Sequence, residues 1–224
     1  MARFKDREKA LALRKQEMSY SQIKEILGIS KSTLSGWLRN YPLSKARIDL
    51  LRGKNEKRIE KYRETMRGKR NKRLLEIYKI QKKKILPLNK RELFLAGLML
   101  YWGEGTKCRT DGLSVSNTDP SVIKFFIYWI KKIFSVPLKK LKVQIHLYND
   151  MDIKKEISYW SEVTKISPNQ FTKPYIKQSS SKRIHHKGGF GHGTCNVRIN
   201  DVSLGEKTIM SLKAISDYYS NKRP

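Results

Sequence analysis

Between Asp119 and Ser135, apolar side chains fall at Val122, Phe125, Phe126, Trp129, Ile130, Ile133 and Phe134, a helical rhythm held for more than three turns. An apolar face that wide must be covered, so the chain has to supply a second layer against it. Asp119 suits the N-cap of this helix and Pro120 its first position. The covering layer is visible downstream. Leu141, Val143, Ile145 and Leu147 alternate with Lys142, Gln144, His146 and Tyr148, the pattern of a strand with one apolar and one polar face. Further strands are expected at 106–109 and 113–117, joined by a hairpin turn at Thr110-Asp111-Gly112, and at 171–177 and 194–200. Residues 91–104 read as an apolar helix ended by Gly105, and residues 152–165 as a helix using Ile153, Ile157, Trp160 and Val163. A last helix starts at about 203, where Ser203 and Glu206 match a capping box. This is an α+β domain, with helices covering one face of a small, largely antiparallel sheet. The open face is expected to carry Lys142, Gln144, His146, Lys173, Lys177, Asn196 and Arg198.

The charge balance names a class of partner. The 224 residues hold 49 Lys+Arg against 20 Asp+Glu, a net charge of +29. Self-repulsion on that scale opposes compaction unless a polyanion relieves it, which points first to nucleic acid and second to an anionic membrane surface. With 38% hydrophobic residues the chain can still build a core, so a wholly disordered polycation is excluded. Residues 1–90 carry 27 basic and 9 acidic residues and few aromatics; residues 91–224 carry 22 and 11 and most of the Phe, Tyr and Trp. This shift in composition puts a boundary near Pro87 to Lys90. The longest apolar run, Leu93 to Trp102, is about half the ~20 residues needed to span a bilayer. No signal-peptide stretch opens the sequence, and two cysteines cannot make a disulfide scaffold, so a cytoplasmic, nucleoid-associated location is expected.

Residues 6–39 read as three short helices. Asp6 is placed to cap the first, with Ala10, Leu11 and Leu13 as its apolar surface. Ser19 or Ser21 caps the second, which carries Ile23, Ile26 and Leu27. Gly28 permits the turn, and Ser30 caps a third helix whose Leu34, Trp37 and Leu38 turn inward. The span YSQIKEILGISKSTLSGWLRN resembles the helix-turn-helix of resolvases, transposases and many repressors. That resemblance implies duplex DNA as partner, with the third helix in the major groove and Lys31, Ser32, Ser35, Gly36 and Arg39 facing it. A helical protein–protein module is the competing reading. Residues 44–90 then form a basic helical connector with almost no apolar stripe in its middle, whose stretch 44–85 would reach ~60 Å if wholly helical. Gly53 and Gly68 weaken that helix and Pro87 ends it. Lys69, Arg70, Lys72, Arg73 and then Lys82 to Lys84 make it either a solvated spacer or an arm along phosphates.

FLAGLMLYWGEG, Phe94 to Gly105, resembles the conserved helix of LAGLIDADG homing endonucleases, and the order of elements over roughly 91–218 is similar to that fold. The resemblance implies an αββαββα domain, here with an extra helix at 152–165. It implies a homodimer, since the chain has one such helix and the family pairs two; Ala96, Met99 and Gly103 would form the interface. It implies Mg²⁺ held by Glu104, the position matching the family's acidic residue, and hydrolysis of a phosphodiester aided by polar and Lys residues; on the polar strand face these would come from Lys142, Gln144, Lys173 or Lys177. Literal LAGL, Leu95 to Leu98, sits two residues early, and Glu stands where Asp is commoner. The family also contains non-cleaving transcription regulators, some fused to a helix-turn-helix, so a catalytically inactive regulator is the alternative; a recombination accessory protein is a third. A structural carboxylate satisfied by Lys107 is the bland reading of Glu104. The expected organisation is a helix-turn-helix at 1–43, the connector at 44–90 and the LAGLIDADG-like domain at 91–224. His185, His186, His192, Cys195 and Cys108 match no zinc-finger spacing, and Gly188 to Gly193 lacks a phosphate-loop pattern.

Overall fold

Ser19 opens the second helix by accepting a hydrogen bond from the Gln22 amide, while the Gln22 side chain accepts from the Ser19 amide, a reciprocal cap that fixes where this helix starts. Its other end is fixed by Gly28, whose φ of 66° lies in the left-handed region that a side chain disfavours. These details come from a computed structural model that describes residues 4–51, 54–107, 111–178 and 191–220. The chain divides into two compact units, Met1–Leu86 and Pro87–Pro224.

The first unit holds α1 (Phe4–Lys15), α2 (Tyr20–Leu27), α3 (Lys31–Leu38), α4 (Lys45–Leu50) and α5 (Lys54–Ile85). Its core gathers Ala10, Tyr20, Ile23, Ile29, Leu34 and Leu38, with Trp37 packed against it. Ile26, which shares the helical spacing of Ile23 and Leu27, is 55% exposed: those two already fill the inner face of a helix only eight residues long. Asp6 is not a cap, because α1 begins two residues earlier and places it in the first turn. Glu17, itself at φ 63°, accepts from the Ser44 amide and hydroxyl and from Arg47 Nε through its backbone oxygen, tying α4 to the end of α1. A small cluster of Leu43, Ile48 and Leu51 completes that junction. The connector helix begins at Lys54, so its 32 residues span about 48 Å rather than the expected 60. Gly68 sits inside it without breaking it; Gly53 lies outside the described residues.

The second unit holds α6 (Lys90–Glu104), β1 (Gly112–Asn117), α7 (Pro120–Phe134), β2 (Lys142–Tyr148), α8 (Ile153–Thr164), β3 (Tyr175–Lys177), β4 (Thr194–Asn200) and α9 (Val202–Ser220). The sheet order is β1-β4-β2-β3, with β4 antiparallel to both neighbours and β3 parallel to β2. The sheet is therefore mixed. The expected pair of strands before α7 reduces to β1: residues 105–106 contribute a single bridge, Gly105 to Val115, and one bond from the Thr106 amide to Ser114. Cys108 to Thr110, which would complete the hairpin, lie outside the described residues. The strand expected from 171 starts at Tyr175, with Phe171 only bridging Val143. Asp201 rather than Ser203 accepts from the first turn of α9, because that helix begins a residue earlier than its sequence signature suggests.

Leu113, Val115, Val143, Ile145, Leu147, Cys195, Val197 and Ile199 form the buried sheet face, against which α7 lays Ile123, Phe126, Ile127, Trp129 and Ile130. Burial on α7 is centred on Ile123, Phe126 and Ile130, leaving Val122, Phe125, Ile133 and Phe134 half-buried. At Gly97 of α6 an added Cβ would lie 2.1 Å from the Trp129 ring of α7. Burial pushes the Cys195 thiol up to about 12, which makes it a small core residue rather than a nucleophile or ligand.

Candidate nucleic-acid interface

The first surface grows from α3. Ser30 accepts from the Thr33 amide and fixes the start of this helix. Leu34 and Leu38 then turn fully inward, which leaves Lys31, Ser32, Gly36 and Arg39 exposed and Ser35 half-buried. Ser32, Ser35, Gly36 and Arg39 fall at i, i+3, i+4 and i+7, one continuous face. At Gly36 nothing lies within 4 Å of an added Cβ, so the backbone itself is open to a close approach.

The first half of α5 packs beside this face, held by a buried charge network. Arg14, 3% exposed, donates from Nε to Tyr41 O at 2.8 Å, from Nη1 to Met18 O at 2.9 Å and from Nη2 to the carboxylate of Glu60 at 3.4 Å. Glu60, 5% exposed, also accepts from Arg63 at 2.9 Å. The Arg14 and Arg63 guanidinium groups lie 4.5 and 4.2 Å from the centre of the Tyr20 ring. Burial draws the Arg14 pKa down and the Tyr20 pKa up; the Glu60 carboxylate opposes the former shift by stabilising the cation. The result is a cleft of about 1190 Å³ within the first unit. Ser35 and Arg39 line it from α3, and Arg63, Arg67, Lys69, Arg70 and Arg73 from α5, with no carboxylate among the lining residues. Of the connector residues singled out above, Lys69, Arg70 and Arg73 line this cleft together with the α3 residues, whereas Lys72 is exposed outside the cleft lining. Arg63 and Arg67 were missed; their i, i+4, i+7 spacing with Arg70 was the available signal.

The second surface is the open face of the sheet. Strand pairing sets Ser114, Arg198 and Lys142 in one row and Ser116, Asn196 and Gln144 in the next. Asn196 donates to Ser114 and Ser116 through its side-chain amide, and Gln144 donates to Lys173 O at 3.1 Å. His146 meets the Tyr175 ring edge-on at 5.4 Å, and Lys177 Nζ lies 5.1 Å from the centre of the Tyr148 ring. Partial burial, then the neighbouring Lys177, lower the His146 pKa, so at pH 7 this imidazole is neutral and offers both a donor and an acceptor. Arg198 Nε is buried without a hydrogen-bond partner among the described residues. The four strands contain no acidic residue.

Glu104 ends α6, exposed, and accepts from the Asn117 side-chain amide at 3.0 Å. Lys107 does not satisfy it: its ammonium donates to Trp102 O at 2.7 Å. Asn117 belongs to β1, so Lys142 and Gln144 on β2 stand two strands away, about 10 Å, and Lys177 on β3 is at the opposite edge, about 14 Å away. Among the described residues there is no group of three or more His, Cys, Asp or Glu able to hold a metal. On α6, Leu95, Met99 and Trp102 are 38%, 43% and 39% exposed, Ala96 is half-buried and Gly103 is open.

Among the residues described as ligand types, His192 pairs with the buried Glu156 at 2.7 Å and stacks on Tyr159, pinning α8 to the start of β4; His185, His186 and Cys108 lie outside the described residues. No helix among the described residues is long and apolar enough to cross a membrane. No curated protein and no solved structure matched the chain. Residues 1–50, which contain α1 to α4, match a homeodomain-like domain, which supports a helix-turn-helix at this end of the chain.

Proposed function

We propose that this protein binds specific sites on duplex DNA, reading the major groove with α3 and contacting a second stretch of duplex with the open face of its sheet. The observation that carries the reading is the outward face of α3. Ser32, Ser35, Gly36 and Arg39 face outward, Ser32 with its hydroxyl on that of Ser30, while Ser30, Gly28 and the Leu34/Leu38 pair hold the helix in place. Arg39 suits a guanine edge and the serines suit bases or phosphates. On the sheet, Lys142, Lys173, Lys177 and Arg198 supply charge, and Gln144 and His146 supply amide and imidazole groups able to read what lies against them, beside the Ser114–Asn196–Ser116 cluster. Selection from a random duplex pool by the full chain should converge on a defined sequence; Arg39→Ala should bind it about 10-fold more weakly, or worse, through the loss of one good base contact. Failure to enrich any sequence would contradict site-specific binding.

The exposed stripe on α6 favours a second reading, of cleavage by a homodimer. Two copies meeting along Ala96, Met99 and Gly103 would cover Leu95, Met99 and Trp102 and bring two Glu104 carboxylates together. The residues fit Mg²⁺ as that pair, since among the described residues of one chain no group of three or more ligand types gathers and Glu104 already carries the Asn117 amide. When bound, the metal supplies activated water and charge stabilisation for in-line displacement. The chain's own residues would orient the duplex through Lys142 and Gln144 and hold the Glu104 carboxylate toward the pair axis through Asn117. In this reading, DNA cutting requires Mg²⁺ and falls by at least 100-fold in Glu104→Gln. Binding with no cutting under any metal would leave the non-cleaving regulator. Sedimentation of a monomer on DNA would remove the paired carboxylates.

A further inference from the structure

We infer that α5 is half of the DNA-binding site: the cleft between α3 and α5 takes one strand of the duplex backbone, with Arg67 and Arg70 as its phosphate contacts and Arg63 anchoring the helix beside them. The inference rests on the helix-turn-helix reading above and extends it to residues outside the matched domain.

Three observations carry it. The first is placement. Arg63, Arg67 and Arg70 recur at i, i+4 and i+7, so one face of α5 presents a line of guanidinium groups across the cleft from Ser35 and Arg39. Successive phosphates along a strand are about as far apart as successive turns of such a helix, and arginine forks match their oxygens. The second is charge. Six cations line the cleft and no carboxylate does, although Glu64 and Glu76 are available on the same helix. Like charges facing across a gap repel, and a closed intramolecular contact would need counter-charges; a polyanion in the gap supplies them. The third is rigidity. The start of α5 is fixed to the helix-turn-helix by the buried Arg14–Glu60–Arg63 network and the Tyr20 ring, so the wall of the cleft is preformed rather than carried on a tether. A spacer needs none of these features.

The test is the salt dependence of binding by the full chain to a 30-base-pair random-sequence duplex, followed by fluorescence anisotropy between 100 and 400 mM KCl. Arg67→Gln/Arg70→Gln removes two charges from the cleft, and Lys72→Gln/Lys79→Gln removes two from the other side of the same helix. Lys31→Gln/Arg39→Gln does the same on α3. Glutamine preserves helix propensity, and circular dichroism confirms folding. Each lost phosphate contact lowers the slope of log K against log [salt] by about 0.9, so the cleft pair should lose about 1.8 and bind at least tenfold more weakly at 150 mM. The Lys72/Lys79 pair should lose less than half of that. Equal losses from the two α5 pairs would overturn the inference, since α5 would then act only through diffuse charge. An unchanged cleft pair beside a weakened α3 pair would overturn it alone; if both are unchanged, the helix-turn-helix reading fails with it.

Discussion

Gly97→Ala should unfold the second unit at a temperature about 10 °C lower than the parent chain. An alanine Cβ at this position would lie 2.1–2.2 Å from three atoms of the Trp129 indole, and Trp129 is fully buried between α6 and the sheet. Neither helix can yield without displacing the other's core contacts, so the cost is at the upper end for overpacking, roughly 3 kcal/mol. The sign is informative because alanine is intrinsically the better helix former by about 1 kcal/mol. Gly103→Ala is the matched control. It lies on the same helix, nothing stands within 4 Å of its added Cβ, and it should raise stability slightly. Thermal unfolding followed in the near-ultraviolet, where the buried tryptophans report, separates the two. Equal shifts would mean that the α6–α7 contact is looser than described. If two copies do pair along α6, Gly103→Ala should keep the monomer stable while weakening the pair.

The second large effect is expected in the first unit. Glu60→Gln leaves the Arg14 guanidinium, with its side chain 2% exposed, facing an uncharged amide. Breaking a buried pair from one side costs about 3 kcal/mol, because the remaining charge keeps its desolvation penalty and loses its partner. Arg14 retains its bonds to the Tyr41 and Met18 carbonyls, so the fold survives, but α5 loses its anchor. Hydrogen exchange of the α5 amides on either side of position 60 should quicken more than that of α2 or α3. Replacing both partners, Arg14→Met with Glu60→Gln, should recover part of the loss. A neutral Glu60→Gln, or simple additivity in the double variant, would contradict the proposed anchoring of α5.

The amphipathic patterns made most of the architecture legible. The strand at 142–148, the helix capped by Asp119 and the turn at Gly28 each have a local cause that appears in the sequence. What was not legible depended on tertiary partners. The first strand of the expected hairpin reduces to the Gly105–Val115 bridge, since Gly105 and Thr106 are occupied closing α6 through the Tyr101 carbonyl and hydroxyl. Gly97 looked like one apolar-helix residue among several, yet it is where α7 approaches, while Gly103 is the open one. The candidate interface was partly readable: the α3 face and Lys69, Arg70 and Arg73 follow from spacing and charge. Arg63 and Arg67 did not stand out, because only the docking of α5 through Glu60, a pairing 46 residues distant from Arg14, turns their side of the helix toward α3. The partner of Glu104 proved to be Asn117, thirteen residues on, rather than the nearer Lys107.

The central claim is that α3 reads the major groove. Methylation interference on a duplex selected by the full chain tests it most directly, because methylated guanine N7 blocks contacts in that groove alone. Interference should map to a run of three to six base pairs, and in Arg39→Ala at least one guanine within it should cease to interfere. Interference that is absent from the major groove, or a pattern identical in Arg39→Ala, would show that α3 does not lie there.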